Sequence, residues 1–122
     1  LPQLQYAREG MVAKLANPAD GSLWTLLLGA ITPCVSAPIF EELQSRAFTM
    51  QALTLALPLR YALAGSGLLF GAQHMQLGLV LPLWVTGWVW GAAYVWTGNL
   101  VVPILIHALW NARIFVGSAL GL

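Results

Sequence analysis

Pro38-Ile39-Phe40-Glu41-Glu42-Leu43-Gln44-Ser45-Arg46 places two adjacent carboxylates and a guanidinium in a chain that has almost no other charge. Between Gly21 and Leu122 the formal charges are Glu41, Glu42, Arg46, Arg60 and Arg113. The 122 residues are 59% hydrophobic and only 7% charged, with a mean hydropathy of +0.77. A soluble domain carries about a quarter charged residues. A chain this poor in charge cannot cover itself with a polar surface, so its solvent is a bilayer. Ionisable side chains are costly inside an apolar segment and face a protein interior or a watery cavity, which makes Glu41, Glu42 and Arg46 candidates for function.

Upstream of this stretch, residues 22–40 form an uncharged run close to the roughly 20 apolar residues that span a bilayer. Pro33 and Pro38 interrupt the run. A proline removes one backbone donor and its ring crowds the preceding turn. The spacing therefore predicts a broken helix near Pro33/Pro38, with Ser36 capping a new helix that begins near Pro38 and ends near Leu57. Such a break is tolerated at membrane depth only where protein or a cavity satisfies the released backbone groups. Before it, Asn17-Pro18-Ala19-Asp20-Gly21-Ser22 is dense in turn residues, and Asp20 or Ser22 can cap the next helix. Residues 1–21 are expected to be an interfacial amphipathic helix and linker, with Leu4, Ala7, Met11 and Leu15 at helical spacing. A connector from a missing upstream helix fits as well. The chain begins at Leu1 with no signal-like start, as expected of a segment of a longer protein.

Downstream, Pro58-Leu59-Arg60 marks a boundary, and residues 61–75 form a helix in which Gly65 and Gly67 allow close approach to a neighbour. Residues 79–96 are a further uncharged span, rich in tryptophan, and Trp84, Trp88, Trp90, Tyr94 and Trp96 are expected partly at the interface level. After the turn Thr97-Gly98-Asn99, the last span carries His107 and Asn111. The expected fold is all-α, a polytopic transmembrane bundle of four to five helices over residues 22–122. Cys34 stands alone, so no disulfide or cysteine-rich metal site is implied. A net charge of +1 provides no basic patch for nucleic acid.

The polar residues of this apolar chain fall into pairs four apart. Glu42 and Arg46 face the same way on a helix and form a charge-assisted pair, which leaves Glu41, rotated by about 100°, as the carboxylate for chemistry. Phe70 and His74 are four apart, as are His107 and Asn111. Glu41 helped by His74 can take a proton from water, while His107 and Asn111 donate to the oxygen that becomes negative in a tetrahedral intermediate. Proton transfer and oxyanion stabilisation are the two large contributions to such hydrolysis. Singly, each pair has a plainer reading: a lone histidine that packs, an asparagine that joins helices, tryptophans that anchor.

The ordered set Glu41-Glu42-x-x-x-Arg46, Phe70-x-x-x-His74 and His107-x-x-x-Asn111 resembles the three motifs of the type II CAAX prenyl protease and bacteriocin-processing family, intramembrane glutamate-type endopeptidases. The resemblance extends over residues 23–121. It implies water activation by Glu41 and His74, an oxyanion hole of His107 and Asn111, and a supporting role for Glu42, Arg46 and Phe70, with no metal or cofactor. Ala47 follows Arg46 where many members have glycine. The run from Gly98 to Asn111 looks like the cyanobacterial and plastid branch, which implies a thylakoid or related plastid membrane, with a bacterial plasma membrane as the alternative. The implied partners are membrane lipid and a membrane-associated peptide or protein substrate. Some members of the family serve as assembly factors, so a non-catalytic binding or assembly subunit of a larger membrane complex, such as a photosynthetic one, with partner transmembrane subunits is the second reading. A zinc hydrolase built on His74, His107 and Glu41 is a third and weaker one, because a His-Glu-x-x-His motif is absent.

Overall fold

The computed structural model describes residues 11–122, and every regular element among them is helical. The expected amphipathic helix falls mostly on residues 1–10, which lie outside the described residues; helix α1 is Met11–Leu15. The turn after α1 closes with the Gly21 N–H on the Pro18 carbonyl at 3.1 Å. Gly21 sits at φ +60°, a left-handed conformation that favours glycine. Of the two expected caps, Ser22 occupies the N-cap position, and Asp20 supports it from outside the helix. Its carboxylate accepts from the Ser22 N–H at 3.1 Å and from the Thr25 hydroxyl at 2.8 Å, while the Ser22 side chain makes no capping bond.

Helix α2 (Leu23–Ile31) does not stop at the prolines. It passes through a π-helical turn, Thr32–Ser36, into α3 (Ala37–Glu42), then through a second π-helical segment, Leu43–Met50, into α4 (Gln51–Thr54). The interruption falls where the prolines predict it, but its form differs from the expected break and restart. Backbone angles stay helical on both sides, φ/ψ −60°/−47° at Ile31 and −63°/−48° at Ala37. A one-residue shift of hydrogen-bond register absorbs the missing donors, and the chain continues as one 32-residue helical run.

Helix α5 (Leu59–Ala72) starts after Pro58. Helix α6 (Leu77–Thr97) ends where Gly98, at φ +63°, donates its N–H to the Tyr94 carbonyl, an αL cap. Helix α7 (Val101–Ala119) begins with the Asn99 side-chain oxygen accepting from the Val101 N–H at 2.9 Å. Among the described residues, three helical stretches are long and apolar enough to cross a membrane: Leu23–Thr54, α6 and α7. The expected count of four to five treated residues 22–57 as two helices, which are one here, and α5 has only 14 residues. Large apolar side chains such as Trp24, Phe40, Leu77 and Trp96 are exposed, as on an integral membrane protein whose solvent is lipid.

The described residues divide into two compact units, one formed by the chain up to Pro38 with His107–Leu122, the other by Ile39–Ile106. In the first, α1 lies close on α2: a Cβ on Gly29 would sit 3.0 Å from the Leu15 carbonyl oxygen. The Asn17 amide donates to the Ala13 carbonyl at 2.9 Å and to the Ser118 hydroxyl at 3.2 Å. In the second, α5 and α6 approach backbone to backbone. A Cβ on Gly67 would be 2.9 Å from the Trp88 nitrogen, and one on Gly71 2.7 Å from the Val80 carbonyl oxygen. One on Gly87 would be 3.1 Å from the Gly67 Cα. Gly67 and Gly87 therefore meet directly, while Gly71 lies against the Val80–Trp84 backbone and Gly91 against the Leu63 side chain; small residues at a contact let helices approach closely in lipid. Gly65, also expected at the contact, instead faces the Leu53 side chain. The Trp84 indole N–H donates to the Ala64 carbonyl at 2.9 Å.

Candidate active site

Glu42 closes the α3 stretch and Arg46 lies one turn on, in the second π-helical segment. Both are fully buried, and Arg46 Nε donates to Glu42 Oε2 at 2.8 Å. Buried charge is tolerable only when paired in good geometry, and the pair neutralises one of the two adjacent carboxylates. Among the described residues, Nη1 and Nη2 of Arg46 meet no hydrogen-bond acceptor. The guanidinium carbon lies 5.5 Å from the centroid of the Phe70 ring, within the range in which an aromatic face attracts a cation.

Phe70 joins the pair to the histidine of the second motif. It is buried at 1% exposure and packs edge-on against Trp90, centroids 5.7 Å apart, and against His74 at 5.1 Å. A Cβ on Gly87 would fall 2.9 Å from the Phe70 ring, so the absence of a side chain there makes room for the phenyl group. The Phe70 backbone acts as well. His74 Nδ1 lies 2.8 Å from the Phe70 carbonyl oxygen. A carbonyl only accepts, so Nδ1 carries the hydrogen, and a neutral ring then presents the lone pair of Nε2.

That Nε2 lies 3.9 Å from Glu41 Oε2, with the two side chains 32% and 28% exposed. The separation is too long for a direct hydrogen bond. It suits a water molecule set at about 2.8 Å from each atom, off the line between them. Such a water would direct its two hydrogens at two acceptors and turn a lone pair outward. Glu41 and His74 thus come together in the second unit, with a separation that a single bridging water would fit.

His107 and Asn111 belong to the first unit, one turn apart on α7. His107 is buried at 3% exposure. Asn111 donates through Nδ2 to the Pro33 carbonyl at 2.8 Å, which fixes which end of the amide is nitrogen. Sequence reasoning did not find the roles of Pro33, Trp90, Gly71, Gly87 and Gly91. The glycines carry a readable signal, two pairs at four-residue spacing on consecutive helices. The Pro33 partner of Asn111 and the Arg46 and Trp90 partners of Phe70 are distant in sequence and leave no local trace.

A family model described as Type II CAAX prenyl endopeptidase Rce1-like matches residues 22–113. No curated protein and no solved structure matches the chain.

Proposed function

Because the chain belongs to the Rce1-like type II CAAX prenyl endopeptidase family, we propose that it is an intramembrane endopeptidase in which Glu41 and His74 activate the hydrolytic water. The observation that carries this reading is the 3.9 Å gap between Glu41 Oε2 and His74 Nε2, with the His74 tautomer set by the Phe70 carbonyl. In the proposed reaction, Glu41 takes a proton from water as the water oxygen bonds to the scissile carbonyl carbon. The carbonyl oxygen becomes an oxyanion, and His107 and Asn111 are its proposed donors. Collapse of the tetrahedral intermediate breaks the C–N bond, and Glu41 returns the proton to the leaving amine. The products are a carboxylic acid and an amine, which part as carboxylate and ammonium, and the protein ends as it began. The substrate class is a peptide bond in a tail held at the membrane, as the family description implies.

Glu41→Gln is the direct test. It keeps the shape and removes the base. Removal of one general base costs about 10²–10⁴-fold in rate. We expect the variant to insert normally and keep its thermal stability, while the uncut substrate accumulates in the membrane fraction of cells that depend on it, as seen by terminal-peptide mapping. Full complementation of a deletion by Glu41→Gln would overturn the reading and leave a non-catalytic subunit in its place.

A further inference from the structure

Pro33 and Pro38 are five residues apart, and five is the hydrogen-bond step of the π-helical turn Thr32–Ser36, which contains Pro33 and ends just before Pro38. The Ala37 N–H donates to the Thr32 carbonyl, an i→i−5 bond, rather than to Pro33. Carried on by one residue, this register requires residue 38 to donate to the Pro33 carbonyl. Residue 38 is a proline and has no N–H to give. The Pro33 carbonyl therefore has no donor along its own helix. Both prolines are buried, and a buried backbone carbonyl is nearly always satisfied by something. Here the donor is Asn111 Nδ2, at 2.8 Å.

We propose that Pro33 and Pro38 are positioning residues for Asn111: the spacing of the two prolines creates an orphan carbonyl that holds the Asn111 amide in one orientation. Because a carbonyl can only accept, the nitrogen of the amide faces Pro33 and cannot exchange places with the oxygen. One N–H is committed to the backbone, and the other is left as the donor for chemistry. The proline-bearing π turn and the last motif are thus one device. The structural half of this inference is independent of the catalytic reading; the claim that the second N–H serves an oxyanion rests on it.

The test is a double-mutant cycle on the full chain in bicelles, followed by thermal unfolding. Asn111→Ala should lower Tm by several degrees, since about 1 kcal/mol corresponds to about 4–8 °C in a small domain. Pro38→Ala restores an N–H that can take the Pro33 carbonyl in the same register. In that background Asn111→Ala should cost less than half as much. Equal losses in the two backgrounds would overturn the proposal. Should Pro38→Ala fail to fold, Asn111→Asp provides a second measurement. It sets a carboxylate oxygen against the carbonyl and should unfold at a lower temperature than Asn111→Ala. An Asp variant as stable as the Ala variant would also overturn it. In the cleavage assay, Pro38→Ala should reduce kcat by about tenfold, a part of the 10²–10³ that an oxyanion donor supplies, with KM unchanged. It should add nothing on top of Asn111→Ala. Thermal coupling with an unchanged kcat would overturn the positioning role while the structural bond stands. Failure of the Glu41→Gln test would remove the protease reading and leave the thermal cycle to be judged by itself.

Discussion

At the scale of single residues, the decisive feature is that Glu41 and Glu42 are neighbours in sequence with different surroundings. Glu42 is fully buried against Arg46, whereas Glu41 is partly exposed beside His74. Arg46→Ala should be far more harmful to folding than its distance from His74 suggests, because it leaves a carboxylate buried without its guanidinium. Breaking one side of a buried ion pair costs about 3–5 kcal/mol, while replacing both members by apolar residues of similar volume is often neutral. We expect Arg46→Ala to lose most of its folded yield and Glu42→Leu/Arg46→Met to recover much of it, read by size exclusion in detergent. A fully stable Arg46→Ala protein would show that the pair is not needed. The Glu42–Arg46 pair was legible because both members lie one helical turn apart in the sequence. The ring of Phe70 between Arg46, Trp90 and His74 was not, since three separate segments meet there.

At the scale of elements, the helices are shaped by residues that lack something: a donor in the prolines, a side chain in the glycines. Composition and hydropathy made the all-α membrane fold legible, and turn residues placed its boundaries. The π-helical turn was not legible, because a proline in an apolar run says that the α-helical register must change and not whether the helix ends. Glycine has a comparable ambiguity, resolved only by what a Cβ would meet. At Gly71 it would sit 2.7 Å from a backbone oxygen of α6, while at Gly117 nothing lies within 4 Å. Gly71→Ala must push two backbones apart and should destabilise by about 1–3 kcal/mol, the usual cost of overpacking. Gly117→Ala should be neutral or stabilising by up to about 1 kcal/mol, from helix propensity. Chemical unfolding of the two variants side by side separates them, and equal effects would contradict the close approach of α5 and α6. The start of α2 adds a pH dependence. Hydrogen bonds from the Ser22 N–H and the Thr25 hydroxyl hold the Asp20 carboxyl below the usual carboxylate range. A group whose pKa is lower when folded stabilises the fold above its unfolded pKa and loses that contribution as pH falls through the folded value. Asp20→Ala should therefore melt below the parent at neutral pH, and the difference should close under acid conditions below the ordinary carboxyl pKa. A difference that persists there would assign the effect of Asp20 to packing instead.

At the scale of the whole molecule, the number of membrane crossings can be argued from one hydrogen bond. The Asn17 amide donates to the Ser118 hydroxyl at 3.2 Å, so the residues before α2 and the end of α7 lie at the same membrane face. A chain that returns to its starting face has crossed an even number of times, whereas three helical stretches are long enough to cross. We expect helix α5, which is not among those three, to supply a further passage. Leu63 meets Gly91, Gly67 meets Gly87 and Gly71 meets Trp84, a pairing that runs backwards along α6 over the length of α5 and makes the two helices antiparallel. At 14 residues and 1.5 Å per residue, α5 covers about 21 Å of a hydrocarbon layer of about 30 Å. A short helix is accommodated by local thinning of the bilayer. His74 stands just beyond its end, so in the proposed reaction water would descend only part of the membrane to reach Glu41 and His74. In sealed vesicles with Cys34 replaced by alanine, single cysteines at Ser22 and Leu120 should react with an impermeant maleimide from one shared face, and cysteines at Leu55 and Thr97 from the face opposite to that of Met75. If Met75 labels from the same face as Leu55 and Thr97, α5 does not cross, and the short water path to His74 that depends on its crossing is lost with it.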